Sequence, residues 1–267
     1  IYSAPQIAAL AAAGAVAHPV HLKVDTGMQR VGAAAHDAVE LADAVAASPA
    51  VALTGVFTHL AVADEPANPY TDHQLDRFDE VLAALRAAGH QPPLVHAANS
   101  AGALAHPRAR FGMVRVGIAM YGISPGAGVD HWCASLHPAL SLQARVSHVK
   151  RVAAGSRISY GLRHTFERET TVATLPLGYA DGVPRRLHAV GATVLIGGHH
   201  RPIVGVVTMD QLMVDCGDDA IAVGDEAVLI GSQGAQQITA ADWAVSLDTI
   251  AYEVVCGLSA RLERRPV

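Results

Sequence analysis

VALTGVFT at residues 51–58, TDHQLDRFDEVLAALRAA at 71–88 and PLVH at 93–96 decide the fold of this chain. The first is a short apolar run rich in β-branched residues, the composition of a buried strand. In the second, Leu75, Phe78, Val81, Leu82 and Leu85 recur at the three-to-four spacing of a helix with one buried stripe. Gly89, followed by Pro92 and Pro93, stops that helix, and PLVH returns as a second strand. Strand, helix, strand is a parallel βα unit.

The same alternation extends outward, with strands expected at 19–24 and 113–119 and helices at 36–47 and 100–105. Polar residues gather at the strand ends, namely Lys23, Asp25, His59, His96, Asn99 and Arg115. A (β/α)8 barrel places its chemistry at the C-terminal ends of its strands. Such a barrel takes about 250 residues, and only four βα units precede the change of pattern, so the expectation is the C-terminal half of a TIM-type barrel. Half a barrel has two open edges, and the chain opens on Ile1 rather than Met; both point to a piece of a longer protein.

Beyond Leu140 the texture changes to short β runs at 141–152, 170–176, 192–196, 201–207, 211–214 and 226–230. Turn signals such as Gly197-Gly198 and Cys216-Gly217-Asp218 separate them, and a helical pattern closes the chain near 239–254. This predicts an antiparallel β domain. The Gly/Pro/His-rich loop over 122–138 is the boundary, giving a half-barrel over 1–134 and a β domain over 135–267. The fold class is therefore α/β followed by mostly β.

Composition narrows the function. A net charge of −5, four Phe and two Trp offer neither the basic footprint nor the stacking platform of a nucleic-acid binder. No apolar run approaches the roughly 20 residues of a membrane span. Cys133, Cys216 and Cys256 fit neither a disulfide framework nor a zinc pattern, which suits a reducing cytoplasm. The fifteen histidines lack metal-ligand spacing, so no metal is expected, and His199-His200 reads as a solvated hairpin turn.

Several stretches together resemble the alanine racemases: HLKVDTGMQRVG at 21–32, HAANSA at 96–101, VRVGIAMYG at 114–122, ISYG at 158–161, PLGYADG at 176–182, TMDQ at 208–211 and IAYE at 250–253. The resemblance implies a barrel that binds pyridoxal 5'-phosphate (PLP), a β domain, a cytoplasmic homodimer, and interconversion of L- and D-alanine to supply D-alanine for peptidoglycan. It also implies a Schiff-base lysine in an Ala-Val-x-Lys-Ala-x-Ala-Tyr-Gly-His-Gly-like motif on an early barrel strand. This chain has only Lys23 and Lys150, both in other motifs. Activity is thus expected of the parent protein and not of this fragment alone. Two other readings are a serine or broader-specificity racemase and a non-catalytic remnant serving only as a dimerisation module.

The resemblance also assigns roles. Tyr160 exchanges the Cα proton on one face of the substrate, with His59 and Arg115 behind it. Arg115 faces the PLP ring nitrogen. Gly117 and Ile118 offer backbone N–H groups to the phosphate, joined by the hydroxyls of Ser100 and Tyr252. Ser100 could instead be a plain helix N-cap. Arg30 takes the substrate carboxylate, and Lys23, carbamylated in many relatives, orients it; an unmodified Lys23 paired with Asp25 is the other reading. Met209 and Asp210 form the rest of the substrate pocket, and Tyr179 narrows its entrance. Tyr160, Met209 and Tyr179 act across a subunit interface.

Overall fold

The computed structural model describes residues 1–266, in two compact units that divide between His137 and Pro138, against the expected 134/135.

The first unit carries a four-stranded parallel sheet, ordered β2-β1-β3-β4 from β1 (His18–Asp25), β2 (Ala33–Ala34), β3 (Val51–Phe57) and β4 (Leu94–His96). Helices α1 (Ala4–Ala12), α2 (Ala38–Ala46), α3 (Tyr70–Ala87) and α4 (Ser100–Ala105) accompany it. Side chains alternate across a strand, so Leu22 and Val24 join Val56 and the stripe Leu75, Phe78, Val81 and Leu85 of α3 in one core. Register fixes the opposite face: Lys23 lies beside Phe57 and Phe57 beside His96, while His21 lies beside Gly55. A bulge between Val20 and His21 produces that last pairing. At the outer edge of β1 the Ile1 amino group donates to His21 O (2.7 Å) and Lys23 N donates to Ile1 O (2.8 Å).

Helix α1 escapes pattern reading because a run of alanines has little contrast between its faces. The strand expected over 113–119 does not form. That segment follows β4 through two bonds only, Gly112 N to Val95 O (3.2 Å) and Arg115 N to Ala98 O (3.0 Å). The N–H groups of Gly117 and Ala119 turn to the Ser100 hydroxyl, and a single helical turn over Ile118–Tyr121 follows.

The second unit is an eight-stranded antiparallel sheet. Its strands are β5 (Leu142–Arg145), β6 (His148–Val152), β9 (Thr170–Leu175), β10 (Thr193–Ile196), β11 (His199–Val204), β12 (Leu212–Asp215), β13 (Glu226–Gln233) and β14 (Gln236–Ile238); β7 (Arg157–Ile158) and β8 (His164–Thr165) form a separate hairpin. The run expected over 141–152 breaks at Val146–Ser147, sending β5 to β13 and β6 to β9. Gly197 and Gly198, at φ of 64° and 77°, make the two-residue hairpin turn. His199 and His200 therefore open β11, exposed, and are not the turn itself. The helix expected over 239–254 is two, α5 (Ala240–Leu247) and α6 (Ala251–Gly257), because Asp248 adopts the left-handed conformation at φ 58°. No described helix is long and apolar enough to cross a membrane.

Leu195, fully buried on β10 between β11 and β13, tests this core. Leu195→Ala should cost about 2–5 kcal/mol, read as a lower urea midpoint. Val245→Ala, at 82% exposure on α5, should stay within about 0.5 kcal/mol of the parent.

Candidate functional site

The inner face of the first unit is organised by Arg115. Its Nη1 donates to His96 Nδ1 (2.7 Å), and Nη2 reaches Thr58 O (3.0 Å), Ala97 O (3.1 Å) and His59 Nδ1 (3.1 Å). Its guanidinium also lies 5.2 Å from the Phe57 ring centroid. Among the described residues no carboxylate pairs with it.

These contacts fix proton positions, because a guanidinium has no lone pair and only donates. His59 and His96 must each accept at Nδ1 and carry their proton on Nε2. His96 Nε2 then donates to His21 Nδ1 at 2.7 Å. Burial first, and the Arg115 cation second, hold both imidazoles far below their ordinary range, at about 4. Burial likewise lowers Arg115, which nevertheless stays a cation.

Lys23 is buried and, among the described residues, makes no direct ion pair, Asp25 included. Asp25 Oδ1 instead accepts the N–H groups of Gly27 (2.8 Å) and Gln29 (3.1 Å), shaping the loop that presents the exposed Arg30. Burial, then Arg30, depress Lys23; Asp25 opposes them and Arg115 adds to them.

Sequence reading missed Gln74. It is fully buried on α3, where its Oε1 accepts Ala61 N (2.8 Å) and its Nε2 donates to His59 O (3.0 Å) and Thr26 Oγ1 (3.4 Å). It clamps the loop of His59 to the loop after β1. The signal was present: a polar residue adjoining the apolar stripe of an amphipathic helix.

Ser100, 4% exposed, accepts the N–H groups of Gly117 (2.9 Å) and Ala119 (3.4 Å) at its hydroxyl oxygen. Its own O–H remains a donor. A Cβ placed on Gly117 would come no nearer than 3.8 Å to that oxygen, so the backbone here borders open space. Asn99, not Ser100, caps α4, accepting Gly102 N at 2.9 Å. Ser100, Gly117 and Ile118 thus form one cradle on the segment that carries Arg115.

In the second unit, close backbone approaches bring Tyr160, Tyr179, Met209 and Asp210 together. A Cβ on Gly178 would stand 2.3 Å from Thr208 O, and Tyr179 N and Ala180 N donate to Thr208 O (3.0 Å) and Met209 O (2.9 Å). Ser159 donates its hydroxyl to Val206 O (2.9 Å), seating the hairpin tip that holds Tyr160 beside the same run. Gly182 meets the end of α6, the helix of Tyr252, where a Cβ would lie 2.3 Å from Gly257 O. Tyr160, Met209 and Tyr179 are 73%, 56% and 46% exposed, so this edge presents reactive and apolar side chains outward. Among the described residues no cluster of three His, Cys, Asp or Glu could hold a metal.

The chain matches the family profile for the alanine racemase N-terminal domain over residues 1–125 and for the C-terminal domain over residues 139–266. The alanine racemase of Symbiobacterium thermophilum is 54% identical over 92% of this chain, which covers 65% of that relative. That of Salinispora tropica is 45% identical over 96% of this chain and 69% of its own length. The chain thus spans about two-thirds of the length of the curated relatives it matches. Among solved structures, alanine racemase from Bacillus anthracis with bound L-Ala-P superposes with a TM-score of 0.92 at 37% identity, over 98% of this chain and 68% of that one. The Streptomyces coelicolor alanine racemase gives 0.90 at 39% identity, over 99% and 71%.

Two outcomes follow from the geometry. The rings of His59 and His96, depressed from 6.5, should stay neutral until about pH 4 in a histidine-resolved NMR titration. Between those values the unfolded chain binds more protons than the folded one, so stability should fall as pH drops from 6.5 towards 4 and be fully present above 6.5. Gln74→Leu leaves the Ala61 N–H and the His59 carbonyl without their partner and should cost about 1–3 kcal/mol in urea unfolding, with His59 resonances shifted.

Proposed function

We propose, from the premise that this chain belongs to the alanine racemase family, that its protein interconverts L- and D-alanine with PLP in a dimer. The observation that carries the reading is Arg115, a half-buried cation held among the described residues by neutral acceptors alone, on the segment that meets Ser100 at Gly117. The residues fit both ends of the cofactor. Ser100 O–H and the N–H of Ile118 would hold the phosphate, with Tyr252 as a further donor and the Gly117 N–H joining them by turning from the Ser100 oxygen that accepts it here, and Arg115 would face the ring nitrogen. The lysine that anchors the cofactor in the family has no counterpart in Lys23 or Lys150, so turnover is a property of a protein that also contains it.

Bound PLP supplies an electron-withdrawing ring that makes the amino acid Cα–H acidic. Every other task falls to side chains. Arg30 suits a carboxylate through its forked donors. Arg115 never gives up a proton, so it holds its ligand by hydrogen bonding without acting as an acid. Tyr160 of a second copy takes or returns the Cα proton at its phenol oxygen. Tyrosine is a poor base near its usual value of about 10; the Nε2–H of His59 is the donor that would stabilise the phenolate. Met209, Asp210 and Tyr179 of that copy bound the substrate. Production of D-alanine for peptidoglycan, in the cytoplasm, is the corresponding cellular role.

Lys23, buried and within the electrostatic influence of Arg30 and Arg115, has the environment of a lysine carbamate. Loss of one proton from the ammonium, addition of CO2 to the free amine and loss of a second proton would turn a third cation into the anion that Arg30 lacks.

The test measures loss of the Cα proton of L- and D-alanine in D2O with added PLP. One sample is this chain; the other is this chain joined to the early barrel strands of a relative. Exchange and racemisation are expected only in the joined protein. A joined protein inert towards alanine, or turnover by this chain alone, would overturn the reading.

A further inference from the structure

The contacts around Arg115 extend one residue beyond those that the proposed chemistry uses. His21 lies mid-strand on β1, and its Nδ1 meets His96 Nε2 at 2.7 Å. Its ring occupies space that exists only because residue 55 is glycine. A Cβ on Gly55 would stand 2.7 Å from each of Cγ, Cδ2 and Cε1 of His21. Gly55 is absent from the positive-φ positions, so its backbone does not require glycine; the room for a ring does. The bulge between Val20 and His21 is the second adaptation. Thr54, left over by the register shift, bonds Val20 O through its hydroxyl (3.2 Å), and His21 comes to lie across from Gly55.

We propose that His21 is a positioning residue of this site: seated in the gap at Gly55, it accepts the Nε2 proton of His96 and so keeps the Nδ1 lone pair of His96 on Arg115. The chain of donors runs one way, from Arg115 Nη1–H to His96 Nδ1 and from His96 Nε2–H to His21 Nδ1. The other tautomer of His96 would set an N–H against the guanidinium N–H groups and leave Nε2 facing His21 without its proton. Rotation of the ring is opposed by Phe57, stacked on His96 at 4.7 Å and 11° and edge-on to His21 at 6.4 Å. With His96 only 3% exposed, water is a poor substitute for either partner. Burial also lowers the proton affinity of the His21 imidazole, which favours its Nδ1 as an acceptor.

The effect on turnover rests on the function proposed for Arg115; the hydrogen-bond chain itself does not. The first measurement needs no substitution: nitrogen-15 spectra of histidine-labelled protein should show one His96 tautomer, unprotonated at Nδ1 and protonated at Nε2. A proton on Nδ1, or rapid averaging of the two, overturns the proposal. His21→Leu should let the His96 tautomers interconvert, and Gly55→Ala should do the same with His21 still present but displaced. His21→Asn, whose amide oxygen can stand where Nδ1 stood, should restore the single tautomer. An unchanged His96 tautomer in both His21→Leu and Gly55→Ala overturns the proposal, and if those two fail to fold, the parent and His21→Asn spectra still decide it. In the joined, lysine-containing protein, His21→Leu should lower kcat about tenfold with the alanine KM within about twofold, and His21→Asn should recover it. Unchanged kcat in His21→Leu overturns the positioning role. A joined protein with no alanine turnover refutes the function, while the tautomer spectra still judge the hydrogen-bond chain.

Discussion

A half-buried guanidinium without a carboxylate partner among the described residues constrains the first unit. Moving such a charge out of water costs several kcal/mol unless hydrogen bonds replace the lost hydration. Arg115 replaces it with two carbonyls and two imidazole nitrogens, all supplied by the ends of β3 and β4. The positions of Thr58, His59, His96 and Ala97 are therefore not independent. Nη2 has three acceptors for its two hydrogens, whereas Nη1 has only His96, so displacing His96 removes the one partner of Nη1, and the backbone bond from Arg115 N to Ala98 O ties the same segment down from its other side. Since an arginine only donates, the arrangement also dictates where the histidine protons sit. A geometric constraint becomes a chemical one: His59 is left with an N–H, and not a lone pair, on its remaining nitrogen.

The second unit reaches precision by another route. Its exposed Tyr160, Tyr179 and Met209 are held by little of their own; the backbone beneath them is held instead. Gly178 lets one loop touch the carbonyl of Thr208, and Gly205, at φ 70°, lets Ser159 close on Val206, where a Cβ would come within 2.6 Å of the Ser159 Cβ. Side chains can then stay accessible while their anchor points are rigid. Gly182 ties α6 into the same arrangement without any contact from the Tyr252 side chain being required for it.

Much of this was legible before the structure. Periodicity located β1, β3, β4, α3 and α4 because each contrasts strongly with its flanks. It failed over 113–119, where alternation is present but Ser100 draws away the N–H groups that a ladder would need, and over 239–254, where one left-handed residue, Asp248, splits a continuous helical pattern. The hairpin of β7 and β8, two residues per strand, is too short to show a period. In the site, Arg115 and His59 stand out in the sequence as polar residues at expected strand ends, and Ser100 as the residue that opens a helical pattern. His21 and Gly55 do not, since a mid-strand histidine reads as a surface position and a strand glycine as a weakness. Their meaning is pairwise and lies in the register between two strands, which a bulge shifts.

The charge on the inner face sets what it can accept. The chain is acidic overall, at −5, yet Lys23, Arg30 and Arg115 influence one another and His59 here. The nearby carboxylate, Asp25, is already occupied by two backbone N–H groups. Burial penalises each cation, and the cations penalise one another, so the face is relieved either by losing a proton or by gaining an anion. Lys23 is the group that can lose one, because arginines hold theirs, and its lowered proton affinity follows from that asymmetry. On the proposed function, a ligand bearing a carboxylate and a phosphate would supply the anions from outside, at Arg30 and at the Ser100 cradle. The same electrostatic imbalance accounts for the lowered proton affinity of Lys23 and suits a ligand with two anionic ends.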